Sequence, residues 1–111
     1  MLEDRRAREG RGAVNRRAAI EAALRELAPR IPAHEFGAVR DHALDSPGLR
    51  TASAQAAAWL SLVAYVRHVF TDYDTLLAEG YDADSARFFV VAEIDAVLAG
   101  WGVERRVGEA D

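Results

Sequence analysis

The chain contains no cysteine and no lysine. Without cysteine there is no disulfide, no thiolate metal ligand and no cysteine nucleophile, and the absence fits a reducing compartment. Without lysine, Schiff-base chemistry and a P-loop are excluded. All 14 basic residues are therefore arginines. Long apolar runs are missing too: none approaches the roughly 18 to 20 residues of a membrane span. The opening MLEDRRAREGRG has no apolar core and so does not read as a secretory signal. Strand-like alternation, internal repeats and low-complexity tracts are absent, apart from an alanine bias. These absences lead to the expectation of a cytoplasmic helical protein with no membrane contact.

What is present is enough for one domain. The chain has 111 residues, half of them hydrophobic, which suffices for one modest core. Its net charge of -4 hides an asymmetry. Residues 1–17 carry six arginines (Arg5, Arg6, Arg8, Arg11, Arg16 and Arg17) against three acids, and the rest carries eight against 15. A basic arm on an acidic body can contact nucleic acid, with Arg50 and Arg67 assisting. It can equally be a solvated leader, which Glu3, Asp4 and Glu9 favour by diluting the arm.

Residues 1–12 are charged, contain Gly10 and Gly12, and show no apolar period, so they are expected to form a disordered basic arm. A first helix is expected from about Asn15, a suitable N-cap, to Ala28, with Ile20, Ala23, Leu24 and Leu27 on one face. Pro29 and Pro32 end it. A second helix starts near Pro32, carries Phe36, Val39, Arg40 and Ala43, and stops before Ser46-Pro47-Gly48. Gly37 weakens it relative to alanine, and can mark a close packing contact. The third helix, AQAAAWLSLVAYVRHVF, has no breaker, and Thr51 or Ser53 can cap it. Trp59, Leu62, Val63, Val66 and Phe70 form its stripe, widened by Leu60 and Ala64, so it is expected at the centre. A short helix carrying Leu76 and Leu77 ends at Gly80, which suits a left-handed position. Asp82 or Asp84 can cap the last helix. That helix shows one stripe of Ala86, Val90, Ile94, Val97 and Trp101, and a second of Phe88, Val91 and Leu98. The reading is all-α: a single compact domain of four or five helices over 13–102, followed by a polar, frayed tail at 103–111 in which Arg105 and Arg106 are solvated.

The densest polar stretch is VRHVFTDYDTLLAEG, residues 66–80. Thr71-Asp72-Tyr73-Asp74 has the form of a capping box, with Thr71 as cap and Asp74 three residues later. If the third helix continues through residue 72, His68 and Asp72 face each other at four-residue spacing. Such a pair can orient an imidazole for general base work or hold a metal ligand in one tautomer. Arg67 can pair with Asp74 or offer a fork to a phosphate.

The motif RHxxTxYDxLL, carried by Arg67, His68, Thr71, Tyr73, Asp74, Leu76 and Leu77, resembles the bacterial and fungal family named domain of unknown function 2293. The later AR pair at Ala86-Arg87, the EID-x-VL run and Trp101 resemble that family's ending, and the likeness covers roughly residues 20–101. The family's link before the central helix is rich in glycine and arginine; SPGLRT, with Gly48, Arg50 and Thr51, stands there in this chain. The resemblance implies a helical fold and supplies no activity.

Weighed against each other, the readings of the cluster Arg67, His68, Thr71, Asp72, Tyr73 and Asp74 favour a polar hinge between helices, in which each group finds a partner. No HExxH or EF-hand spacing supports a metal site, although His34 and His42 are further potential ligands. Ser53 and Ser61 lack a nucleophile-elbow context. No metal and no cofactor is expected. The leading expectation is a non-enzymatic interaction module that self-associates or binds a protein partner through Phe88, Val91 and Leu98 together with the polar stretch Arg67 to Asp74. One alternative is nucleic-acid binding by the arm. The other is a small enzyme or metal protein centred on His68, Asp72 and Asp74.

Overall fold

A computed structural model describes the backbone of residues 2–108 and the side chains of residues 15–108. Within these residues the chain is all-helical: α1 (Leu2–Leu27), α2 (Ala33–Asp45), a 3-10 turn (Pro47–Leu49), α3 (Ala54–Phe70), α4 (Tyr73–Ala78) and α5 (Ala83–Gly100). The expectation of a disordered arm at 1–12, with Arg5, Arg6, Arg8 and Arg11, falls outside the described side chains. The helical backbone runs through Asn15, which therefore caps nothing. Pro32 sits one residue earlier than expected, at the N-cap position of α2 rather than inside it.

α3 is the centre of the domain and packs against α1, α2, α4 and α5. Its mean composition is apolar around most of its girth, and Ala57, Ala58, Trp59, Leu62, Val63 and Val66 are all buried. Ile20 and Leu24 of α1, Val39 and Ala43 of α2, and Ala86, Val90, Ile94 and Leu98 of α5 close around it. Leu60 and Phe70, expected on the core stripe, stand on the surface. Helical geometry turns residue 60 about 100° from Trp59, away from the seam that α1 and α5 cover.

The helix ends follow from single residues. Ser53 caps α3 by accepting from the Ala56 N–H at 3.0 Å, and Asp82 caps α5 by accepting from the Ser85 N–H at 2.7 Å. α4 ends in a left-handed glycine, Gly80 at φ 103°. There the Tyr81 N–H bonds back to the Leu76 carbonyl and the Gly80 N–H to Leu77, the paired bonds of a Schellman ending. α5 ends the same way at Gly102 (φ 86°), with Val103 bonded to Leu98 and Gly102 to Ala99. A side chain at Gly102 would also meet Pro29 Cγ at 2.8 Å, so this turn is pressed against the α1–α2 connector. Arg30 N–H donates to the Trp101 carbonyl at 2.9 Å and ties the two segments together. Gly37 marks no such approach: a Cβ there would meet only Arg40 Nη2, at 3.7 Å.

Residues 103–108 are not frayed. Val103 is buried, and Asp95 of α5 accepts from the Val107 N–H at 2.7 Å and the Gly108 N–H at 3.3 Å. The segment thus folds back along α5 and brings Arg105 and Arg106 to the body. No described helix is long and apolar enough to cross a membrane.

Candidate functional site

The stretch Arg67–Asp74 forms the corner between α3 and α4, but with different partners from those the spacing predicts. α3 stops at Phe70, so Asp72 never reaches the His68 face. His68 Nδ1–H instead donates to Asp74 Oδ1 at 2.8 Å, in the open: the two side chains are 49% and 62% exposed. The His68 ring also stands edge-on to the Tyr73 ring, with centroids 5.4 Å apart. Asp72 occupies the N-cap position of α4, and its side chain makes no capping bond.

The capping box does not form. Thr71 lies in the extended region at the end of α3, where its hydroxyl donates to the Arg67 carbonyl and accepts from the Tyr73 N–H at 3.2 Å. One hydroxyl therefore closes α3 and opens α4. Asp74, which would complete the box, is turned to His68. Tyr73 is buried, and its ring lies under Arg67, whose guanidinium carbon is 5.4 Å from the ring centre.

Arg67 makes no ion pair with Asp74. Its Nε is buried and has no hydrogen-bond partner among the described residues. Burial first, and then the like charge of Arg87, depress its pKa from the ordinary arginine value; Tyr73 acts weakly the other way. An arginine keeps its proton under such shifts, so a charged group stands partly buried beside another cation.

The remaining predicted residues separate. Arg16 is spent inside the fold: its guanidinium donates to the carbonyls of Leu49 (2.8 Å) and Ala52 (3.0 Å) and clamps the α2–α3 connector onto α1. Arg17 reaches Glu21 at 3.8 Å, one turn on. Arg50 is exposed on the connector. The Phe88, Val91 and Leu98 stripe does not stay on one face. Leu98 is wholly buried, because the core row of α5 steps by four through Ala86, Val90, Ile94 and Leu98. Ten residues of helix turn Leu98 about 80° from Phe88. Val91 is half-buried, whereas Phe88 is 76% exposed. Phe89 (55%) and Tyr81 (45%) join it at the surface. The three rings form an edge-to-face series, with Tyr81–Phe89 centroids 5.5 Å and Phe88–Phe89 centroids 5.9 Å apart.

For hydrolytic or metal chemistry the arrangement supplies little. Ser61 is wholly buried, and its Oγ lies 3.0 Å from His42 Nδ1, so its hydroxyl serves packing and closes a buried polar group. That bond takes His42 away from any site at the α3–α4 corner, and His34 is exposed on the first turn of α2. Among the described residues, no three or more His, Asp or Glu side chains gather in a way that could hold a metal ion.

Fold and corner together define a small all-α domain whose polar stretch joins its central helix to a short one. The chain belongs to the family described as Uncharacterized conserved protein (DUF2293), whose model matches residues 23–102. The match spans α2 to α5 and the last five residues of α1, and it includes the Arg67–Asp74 corner. No curated protein and no solved structure shows significant similarity to the chain.

Proposed function

We propose that this domain is a non-enzymatic interaction module that pairs with a second copy of itself through the ring series Tyr81, Phe88 and Phe89. The exposure of these rings is the observation that carries the reading. α5 already buries a complete apolar row against α3, yet it holds two adjacent phenylalanines in water on its other side. Exposed apolar surface of this kind, clustered and aromatic, is typical of contact surfaces. A two-fold pairing would place the same three rings of each copy against each other, which is the simplest closed arrangement. The corner at Arg67–Asp74 serves this reading as architecture, holding α4 and the start of α5 at a set angle to α3. The cysteine-free composition fits work in the cytoplasm.

The test is Phe88→Asp, checked by circular dichroism and light scattering. Phe88 touches little of the core, so the variant is expected to fold with wild-type helicity and to scatter as a monomer at concentrations where the wild type is a dimer. A wild type that is monomeric at every concentration would remove the self-pairing.

A further inference from the structure

Four of the eight arginines that follow residue 17 line one cleft. It has a volume of about 390 Å³ and is bounded by Trp59, Leu60 and Val63 of α3, Arg67 at its end, Arg87 of α5, and Arg105, Arg106 and Val107 of the returning segment. Among the described residues, no carboxylate lines it. That is unusual for the outside of a body carrying 15 acids, and the other arginines differ. Arg40 lies between Glu21 and Asp41, Arg30 donates to a carbonyl, Arg25 lies over Phe36, and, among the described residues, Arg50 stands alone and exposed on the α2–α3 connector.

Two of the cleft arginines, Arg67 and Arg105, are held against aromatic rings. Arg105 is stacked 4.3 Å above the Trp59 ring. Asp95 fixes the backbone just beyond Arg106. Arg87 has only a long contact to Asp84, 3.7 Å to a side chain almost wholly in water. Arg67 is the telling member: its buried Nε has no hydrogen-bond partner among the described residues. A partly desolvated guanidinium beside other cations carries a cost that a bound anion would offset. Guanidinium forks suit phosphate oxygens, and four of them suit more than one phosphate.

From this geometry we infer that the cleft between α3, α5 and the returning segment is a binding site for a small phosphate-bearing ligand with at least two phosphate charges. Arg67 provides its floor, and Arg87, Arg105 and Arg106 its rim. Leu60, Val63 and Val107 offer an apolar wall to whatever the phosphates are attached to. The cleft is local and the surrounding body is acidic, which favours a compact ligand over a long polyanion. This inference is independent of the pairing through α5.

Calorimetric titration of the full chain with pyrophosphate tests it, beside a nucleoside triphosphate and a short single-stranded oligonucleotide. Saturable pyrophosphate binding that weakens with salt is expected. Arg67→Gln should weaken it about tenfold or more, the loss expected for one charge-assisted contact. Arg106→Gln, at an exposed position that folding does not need, should weaken it severalfold. Arg25→Gln, outside the cleft, should leave it unchanged. If Arg67→Gln does not fold, Arg106→Gln and Arg87→Gln decide alone. Absence of binding at millimolar pyrophosphate would overturn the inference, as would equal losses from Arg25→Gln and Arg106→Gln. Binding of the oligonucleotide alone would overturn it in favour of a nucleic-acid surface.

Discussion

Removing the His68–Asp74 contact should cost little, and the size of the loss follows from its exposure. The two side chains are 49% and 62% in water, although they meet at 2.8 Å. An exposed ion pair contributes about 0 to 1 kcal/mol. Asp74 also lies in the first turn of α4, where a negative charge adds about 0.3 to 1 kcal/mol. Asp74→Ala should therefore lower stability by about 1 kcal/mol, and Tm by roughly 4 to 8 °C for a domain of this size. His68→Ala loses the edge contact with the buried Tyr73 ring as well, which is worth about 0.5 to 1.5 kcal/mol. The double variant isolates the pair itself, and its coupling energy should be under about 1 kcal/mol. Urea unfolding followed by fluorescence of the buried Trp59 and Trp101 measures all four chains. A coupling of about 3 kcal/mol or more, the value for breaking a buried pair, would refute the reasoning.

Two glycines should respond in opposite directions. Gly37→Ala adds a Cβ that meets only Arg40 Nη2, at an ordinary contact of 3.7 Å, and should raise Tm, reflecting a gain of up to about 1 kcal/mol. Gly102→Ala forces a left-handed residue against Pro29 Cγ at 2.8 Å and should lower it, by about 1 to 2 kcal/mol for the backbone alone. Calorimetric melting of both variants checks the pair, and a stabilising Gly102→Ala would contradict the tight turn. Asp82 supplies a pH dependence. Hydrogen bonds from the Ser85 backbone and side chain hold its carboxyl below the usual aspartate value. A depressed folded pKa means that this contribution is complete above the unfolded value of about 3.9 and is lost as pH falls through the folded one. Asp82→Asn keeps a cap without the titration, so its acid unfolding curve should be flatter below about pH 4 than the wild type's.

Much of the fold is legible in the residues because local chemistry and core pattern agree. Ser53, Gly80 and Asp82 each act where their types suggest, and the unbroken apolar α3 is central. What misleads is spacing near helix ends. The His68–Asp72 pairing assumes two more helical residues than α3 has, and the turn hands His68 to Asp74 instead. The capping box fails because Thr71 can reach back to a carbonyl and forward to an N–H with one hydroxyl. On α5, rows of three and of four diverge over several turns, so Leu98 reads as surface and proves to be core. Long-range partners leave no local mark. Nothing near Arg16 predicts the carbonyls of Leu49 and Ala52, and the polar character of 103–108 conceals a segment anchored by Asp95. The four-arginine cleft is invisible for the same reason: α3, α5 and the returning segment each supply part of it. The one local hint is RR at 105–106, just beyond the buried Val103 and the exposed Glu104.

The most direct test of the proposed pairing is sedimentation equilibrium of the wild-type chain over a wide concentration range, with Phe88→Asp run beside it. The account predicts a monomer–dimer equilibrium for the wild type and a shift to monomer in the variant, with helicity unchanged. A wild type that stays monomeric throughout, or a dimer that survives Phe88→Asp intact, would contradict it.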